Sequence, residues 1–276
     1  YMRVNNFLKR DTLYSIPTAN RGLIVLVIRK LLASSSYALI ETFEVLRNRL
    51  EKLYQGTKSA SAQEGFDLFW AYVEDEIDES GLEEEEDPDT AFQKQQIQEE
   101  MDEVDAILAT AERIKVNAKI IALKQAIHTA LKFQEEHGIP QKVVIFTESK
   151  RTQKYIAAEL RREGFEEDDI LLFNGDFDDA MTKEIYRAWQ VKNHGNTNYG
   201  RSVEYKHAIV DYFREHSRIL IVTDAGSEGL NLQFCNTVIN YDLPWNPQKI
   251  EQRIGRCHRY GQEHDVVAVN LLNTQN

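Results

Sequence analysis

Five short apolar runs constrain this chain more than any other feature: residues 143–146, 170–173, 218–222, 237–241 and 266–271. The first, VVIF, is continuous and β-rich, as in a strand buried on both faces. Helical stretches punctuate the series at 150–163, 180–189, 203–215 and 247–254. Gly138 and Pro140 end a preceding helix and open the region. Strands alternating with helices predict an α/β fold, a doubly wound parallel sheet with helices on both faces. In such sheets ligands sit outside the carboxyl ends of the strands.

The N-terminal half reads as helical. Leu39, Phe43, Leu46, Leu50 and Leu53 recur at spacings of 4, 3, 4 and 3, one stripe of an amphipathic helix. An earlier helix is expected over 23–32, broken and recapped by Ala33–Ser36. Residues 55–61 read as a loop and 62–79 as a further helix. SGLEEEEDPD, at 80–89, is low-complexity and reads as a solvated turn or disordered. Helices are expected again over 90–110 and 116–136. The expected division is a helical segment, 1–115, and an α/β domain, 116–276.

The 276 residues suffice for one or two domains with a sizeable core. No apolar run reaches the ~18 residues of a membrane span, and the nearest, GLIVLVI, stops at Arg29 and Lys30. No secretory signal is visible, and the start at Tyr1 reads as a fragment or a processed chain. Cys235 and Cys257 have no zinc spacing, and so few thiols fit a reducing cytoplasm. The net charge of −12 is local. Residues 73–105 hold sixteen acidic residues and one lysine, a net of −15 that leaves the remainder at +3.

Three polar clusters follow strands and should gather on one sheet edge. The first contains Thr147, Ser149 and Lys150, and the second Thr223, Asp224, Gly226, Glu228, Gly229 and Asn231. The third is VINYDLPWNPQKIEQRIGRCHRYGQ. There Asn246 reads as an N-cap, with Pro247 at the first helical position. Gln252, Arg256 and Arg259 are spaced by 4 and 3 and share a face if the helix persists. Ile250, Ile254 and Cys257 form the face expected on the sheet. His258 has no second ligand at zinc spacing and reads as a helix-surface histidine, so no metal site is expected.

VVIFTES, TDAGSEGLNLQ and YDLPWNPQKIEQRIGRCHRYGQ resemble, in order, motifs four, five and six of superfamily-two helicases. The form QRIGRxHRxGQ resembles Swi/Snf-type DNA translocases, particularly bacterial RapA/HepA-like ones, over about residues 117–276. IRKLLASSSYALIETFEVL, more weakly, resembles the linker between their two motor lobes. The resemblance implies the second RecA-like lobe of a motor that closes around ATP and moves on double-stranded DNA. It implies that Arg256 and Arg259 are arginine fingers toward the β/γ-phosphates and that Gln252 supports the phosphates or the attacking water. Asp224, Gly226, Glu228 and Gly229 then face the nucleotide. Thr147, Ser149, Lys150, Asn174, Gly175 and Thr223 then contact the DNA backbone. Partner proteins in transcription, repair or defence are compatible with the family.

Departures matter as much. No GxxxxGK[ST] motif occurs, and GTK at 56–58 lacks the upstream glycine. DEID at 75–78 mimics a metal-binding box but sits in the acidic block. ATP and Mg2+ are therefore expected mainly on an upstream lobe of a longer parent, and this chain alone is expected to be inactive. Residues 176–216 exceed a minimal lobe and mix Lys192, Arg201 and Lys206 with Tyr199 and Tyr205. They read as a capping element built on Ile209, Tyr212 and Phe213, or as a nucleic-acid contact. Trp245 reads as a loop anchor. Two other readings stay open: a non-catalytic binding or regulatory module of this fold, and an RNA-directed helicase lobe.

Overall fold

Strand β1 (Val143–Thr147) is buried at every residue, as a continuous apolar run requires. The computed structural model describes residues 2–16, 21–34, 36–55, 91–113, 118–177, 179–193, 199–244 and 246–272. They divide between two compact units, Tyr1–Asn117 and Ala118–Asn276. The expected loop at 56–61, the helix at 62–79, the turn at 80–89, the GTK and DEID decoys and Trp245 lie outside the described residues.

The first unit contains helices α1 (Met2–Leu8), α2 (Arg21–Ser34), α3 (Ser36–Gln55) and α4 (Ala91–Glu112). The stripe on α3 is its inner face: Leu39, Phe43, Leu46 and Leu50 are buried, against Phe7, Ile24, Ile28, Ile97 and Val104. Part of the acidic stretch is structural. Glu100 is 1% exposed and accepts the Tyr14 and Ser15 backbone N–H groups at 2.8 and 3.0 Å and the Ser15 hydroxyl. Glu103 pairs with Arg10 at 2.8 Å and Asp105 with Arg47 at 2.7 Å.

The second unit runs α5 (Ala118–Glu136), β1, α6 (Lys150–Arg162), β2 (Ile170–Phe173), α7 (Ala180–Lys192), α8 (Arg201–Glu215), β3 (Ile219–Thr223), α9 (Asp224–Ser227), β4 (Thr237–Asn240), α10 (Pro247–Cys257) and β5 (Val267–Asn270). The five strands form one sheet in the order β2-β3-β1-β4-β5, every pair parallel. Alternate residues of β1 serve different layers. Val143 and Ile145 join Leu123 and Ile127 of α5 and Ile156 and Leu160 of α6. Val144 and Phe146 join residues of α7, α8 and α10 on the opposite face. The fold is the expected doubly wound parallel sheet, with the register Thr147↔Thr223 and Phe146↔Asn240 aligning the carboxyl ends.

Within residues 176–216 the chain forms the pair α7–α8. Ile209 and Phe213 are in the core, the Tyr186 and Tyr205 rings stack at 3.8 Å, and Trp189 Nε1 donates to Asp211 at 2.8 Å. This pair therefore caps one sheet face. At the amino edge, Arg218 grips Asp169 through two bonds of 2.8 Å. That guanidinium holds the Asp169 carboxyl below its ordinary value of 3.8. A depressed folded value stabilises the fold above the unfolded value, and the contribution is lost as pH falls through the folded one. Asp169→Asn should therefore cost about 1 kcal/mol in urea unfolding at neutral pH. The gap should close on acidification below the ordinary carboxylate value, and a gap that widened in acid would contradict this.

Candidate functional site

Parallel pairing brings the ends of β1, β3 and β4 to one rim, and one arginine ties them together. Arg253 lies on α10 and is 2% exposed. Its Nε donates to Asp224 Oδ1 at 2.7 Å and its Nη2 to Asp224 Oδ2 at 2.9 Å. Its Nη1 donates to Asn240 Oδ1 at 3.1 Å and to the Asp242 carbonyl at 2.7 Å. The guanidinium also lies 5.1 Å from the Phe146 ring centroid. A buried cation persists only when its donors are matched in this way.

A second knot lies beside the first. Asp242, 5% exposed, accepts from Lys119 Nζ at 2.9 Å, from the Thr147 hydroxyl at 2.6 Å and from the Glu148 N–H at 3.3 Å. Lys119 also stands 4.4 Å from the Tyr241 ring centroid. Asn240, while accepting from Arg253, donates to Asn270 Oδ1 at 2.8 Å and so reaches β5.

Helix α10 starts as its sequence demands. Asn246 accepts from the Gln248 N–H at 2.9 Å, and Pro247 follows. The inward face centres on Arg253 and Cys257, with Ile250 and Ile254 only half-buried at its margin. Arg256 is rotated off that face and half-buried. Its Nε is buried and has no hydrogen-bond partner among the described residues. Gln252 is exposed.

The helix does not persist to Arg259, which corrects the expected three-residue face. It ends at Cys257, His258 caps it with its N–H on the Ile254 carbonyl at 2.8 Å, and Arg259 stands exposed in the following turn. The turn is set by Gly261, at φ +96, packed on Gln233. Gln262 clamps it by donating to the Cys235 and Cys257 carbonyls at 3.0 and 3.3 Å. His258 is thus exposed beyond the helix. The Cys257 thiol, hydrogen-bonded to Cys235 and buried, titrates well above its ordinary value.

The strand-end hydroxyls and glycines serve the rim itself. Thr147 is fully buried with its hydroxyl on Asp242, so it does not face DNA as expected. Thr223 is 7% exposed and caps α9: its oxygen accepts the Gly226 N–H at 3.2 Å and its hydroxyl donates to the Asn174 carbonyl at 3.2 Å. Gly226 is buried, and a Cβ there would meet the Phe173 carbonyl oxygen at 2.7 Å, so it lies in close approach to this chain's own backbone. Gly175, φ +88, supplies the other side of that contact. Asn174 accepts the Asp176 N–H at 2.8 Å, and Ser149 caps α6 by accepting the Arg151 N–H at 3.2 Å. Ser149, Lys150, Asn174 and Gly175 remain half-buried at the rim, while Glu228 and Gly229 are exposed.

Residues 118–261 match the helicase conserved C-terminal domain. The chain belongs to this family. The uncharacterized ATP-dependent helicase YqhH of Bacillus subtilis (strain 168) is 42% identical over 133 residues, 48% of this chain and 19% of that protein. The RNA polymerase-associated protein RapA of Vibrio campbellii is 41% identical over 70 residues, 24% of this chain and 7% of that protein. The chain thus spans a fifth or less of these relatives. Similar solved structures include the Pyrococcus furiosus Hef helicase domain, at 19% identity over 92% of this chain and 40% of that one, TM-score 0.48. Another is the C-terminal part of the Fun30 ATPase domain, at 18% identity over 100% of this chain and 80% of that one, TM-score 0.44. The expected likeness to RapA-like helicase C-terminal lobes is met.

Within this helicase C-terminal domain, sequence reasoning missed Arg253, Asp242, Asn240 and Lys119. Arg253 was detectable: it lies four residues before Cys257 and three after Ile250, on the apolar face of the wheel. Asp224→Ala should unfold the second unit more easily by about 3–5 kcal/mol, because it strands a buried cation. Arg253→Met, which removes the charge and keeps the volume, should cost clearly less in the same urea titration. The reverse ranking would contradict this account of the rim.

Proposed function

We propose that this chain is the second motor lobe of an ATP-dependent translocase directed to double-stranded DNA. It would act within a longer protein whose upstream lobe holds most of the ATP and Mg2+ contacts. The observation that carries this reading is the division of labour between two arginines three residues apart on α10. Arg253 has four of its five N–H groups committed, whereas Arg256, among the described residues, keeps a buried Nε without a partner at the sheet rim. A buried donor without an acceptor is costly, and a phosphate oxygen supplies the missing acceptor. Arg256 is thus the principal finger, and Arg259, exposed on the turn beyond the helix, is the second. The nucleotide supplies the scissile γ-phosphate, and the chain's part is to hold positive charge where negative charge builds up.

Exposed Gln252, Glu228 and Gly229 border the nucleotide side in this reading. Asp224 acts through Arg253 instead of touching the nucleotide. Ser149, Lys150, Asn174 and Gly175 offer the backbone and polar contacts to duplex phosphates. The helical unit serves as the connection between motor lobes. Relatives named as an ATP-dependent helicase and as an RNA polymerase-associated protein support an ATP-driven motor, with transcription one setting for its partners. Among the described residues no helix is long and apolar enough to cross a membrane, which is compatible with a cytoplasmic location.

Arg256→Ala in the full-length protein should lower DNA-stimulated ATP hydrolysis by about 10³-fold or more while duplex affinity is retained. Steady-state phosphate release and a duplex titration measure the two quantities. Hydrolysis at the wild-type rate would overturn the reading and favour a non-catalytic module. The 276-residue chain alone should show no DNA-stimulated hydrolysis.

A further inference from the structure

The inserted hairpin α7–α8 carries three cations that the sequence singles out, and the structure gives them different fates. Lys192 is held by both oxygens of Glu215, at 2.7 and 2.8 Å. The Arg201 guanidinium lies 5.7 Å from the Tyr205 ring centroid. Lys206 extends away from the hairpin to the loop that follows α9. A Cβ placed on Gly229 would lie 3.6 Å from its Nζ and 3.7 Å from its Cδ.

That loop belongs to the rim described above. Its Leu232 N–H donates to the Arg256 carbonyl at 2.9 Å. Ala208 and Ile209 of α8 and Cys257 of α10 share one apolar layer, so Lys206 and Arg256 approach residues 228–232 from the same face of the sheet. Lys206 is half-buried, and among the described residues its ammonium has neither an ion pair nor a hydrogen bond. Gly229 is exposed at φ +75 and offers no side chain to cover the charge. The stem packs and the head stays available, the usual division in a long cationic side chain. On the neighbouring position of α8, His207 stacks with Tyr199 at 5.2 Å, and that ring is 60% exposed. A free ammonium over an exposed glycine turn suits a backbone phosphate oxygen.

We propose that Lys206 is a nucleic-acid contact that binds a backbone phosphate of the duplex beside residues 228–232. The proposal rests on the reading of the chain as a DNA-directed lobe, and it places the inserted hairpin in the substrate track in addition to its capping role. The test is the affinity of the 276-residue chain for a fluorescent DNA duplex across a salt series, with binding of a fluorescent ATP analogue measured alongside. Lys206→Ala should weaken duplex binding about threefold to tenfold and reduce the salt slope by about 1. Lys206→Arg should restore both quantities. Lys192→Ala, whose cation is already paired, should leave both unchanged. If the alanine variant fails to fold by circular dichroism, Lys206→Gln replaces it, keeping most of the stem. Wild-type affinity and slope in the neutral variant would overturn the proposal, as would a loss confined to the ATP analogue. Absence of salt-dependent duplex binding by the wild-type chain would instead sink the underlying reading of the lobe.

Discussion

A guanidinium–carboxylate pair, buried Arg253 with half-buried Asp224, fixes the geometry of the rim at the carboxyl ends of the strands. Three chain segments meet at that one cation: the turn after β3, the end of β4 and the middle of α10. Hydrophobic burial alone would hold α10 against the sheet, because Cys257 and the margin isoleucines are apolar. It would not fix the rotation of the helix about its own axis, since burial is non-directional. The forked, planar guanidinium does fix it, because its five donors accept only one arrangement of partners. The rotation matters because Arg256 is three residues further along and inherits its direction from Arg253.

The remainder of the rim is stitched by the same kind of contact. Lys119 and Thr147 converge on Asp242, and Thr223 bridges Asn174 and Gly226. Gly226 lets the α9 turn lie directly on the backbone of residues 173–175, where any side chain would collide. The buried polar groups of the rim are therefore spent on shaping it. The proposed function draws on what is left: half-buried Arg256, the exposed Gln252 and Arg259, the loop at Glu228 and Gly229, the half-buried Ser149, Lys150, Asn174 and Gly175, and the free ammonium of Lys206.

Much of this fold could be read in the amino-acid order. The five apolar runs became the five strands within a residue or two at each end, and the burial of β1, β3 and β4 on both faces explains why such short runs sufficed there. The leucine stripe of α3 and the cap of α10 were equally legible, since each depends on local spacing. The site was less so. Local patterns favour putting charge outward, and Arg253 points inward because partners from residues 224, 240 and 242 meet it there. Thr147 and Thr223 sit at strand ends as expected, yet which of their neighbours would take the hydroxyls depended on contacts distant in sequence. Arg259 left the helix because the Gly261 turn docks on Gln233, a contact no helical wheel contains.

The central claim is that one arginine of α10 is locked inside the rim so that the next can meet phosphate. The most direct measurement is the side-chain Nε–H resonances of Arg253 and Arg256 by NMR, in the full-length protein with and without a nucleotide transition-state analogue. The Arg253 signal should exchange slowly with water and stay in place, while the Arg256 signal should shift and gain protection when the analogue binds. A shifting, fast-exchanging Arg253 beside an indifferent Arg256 would contradict the account.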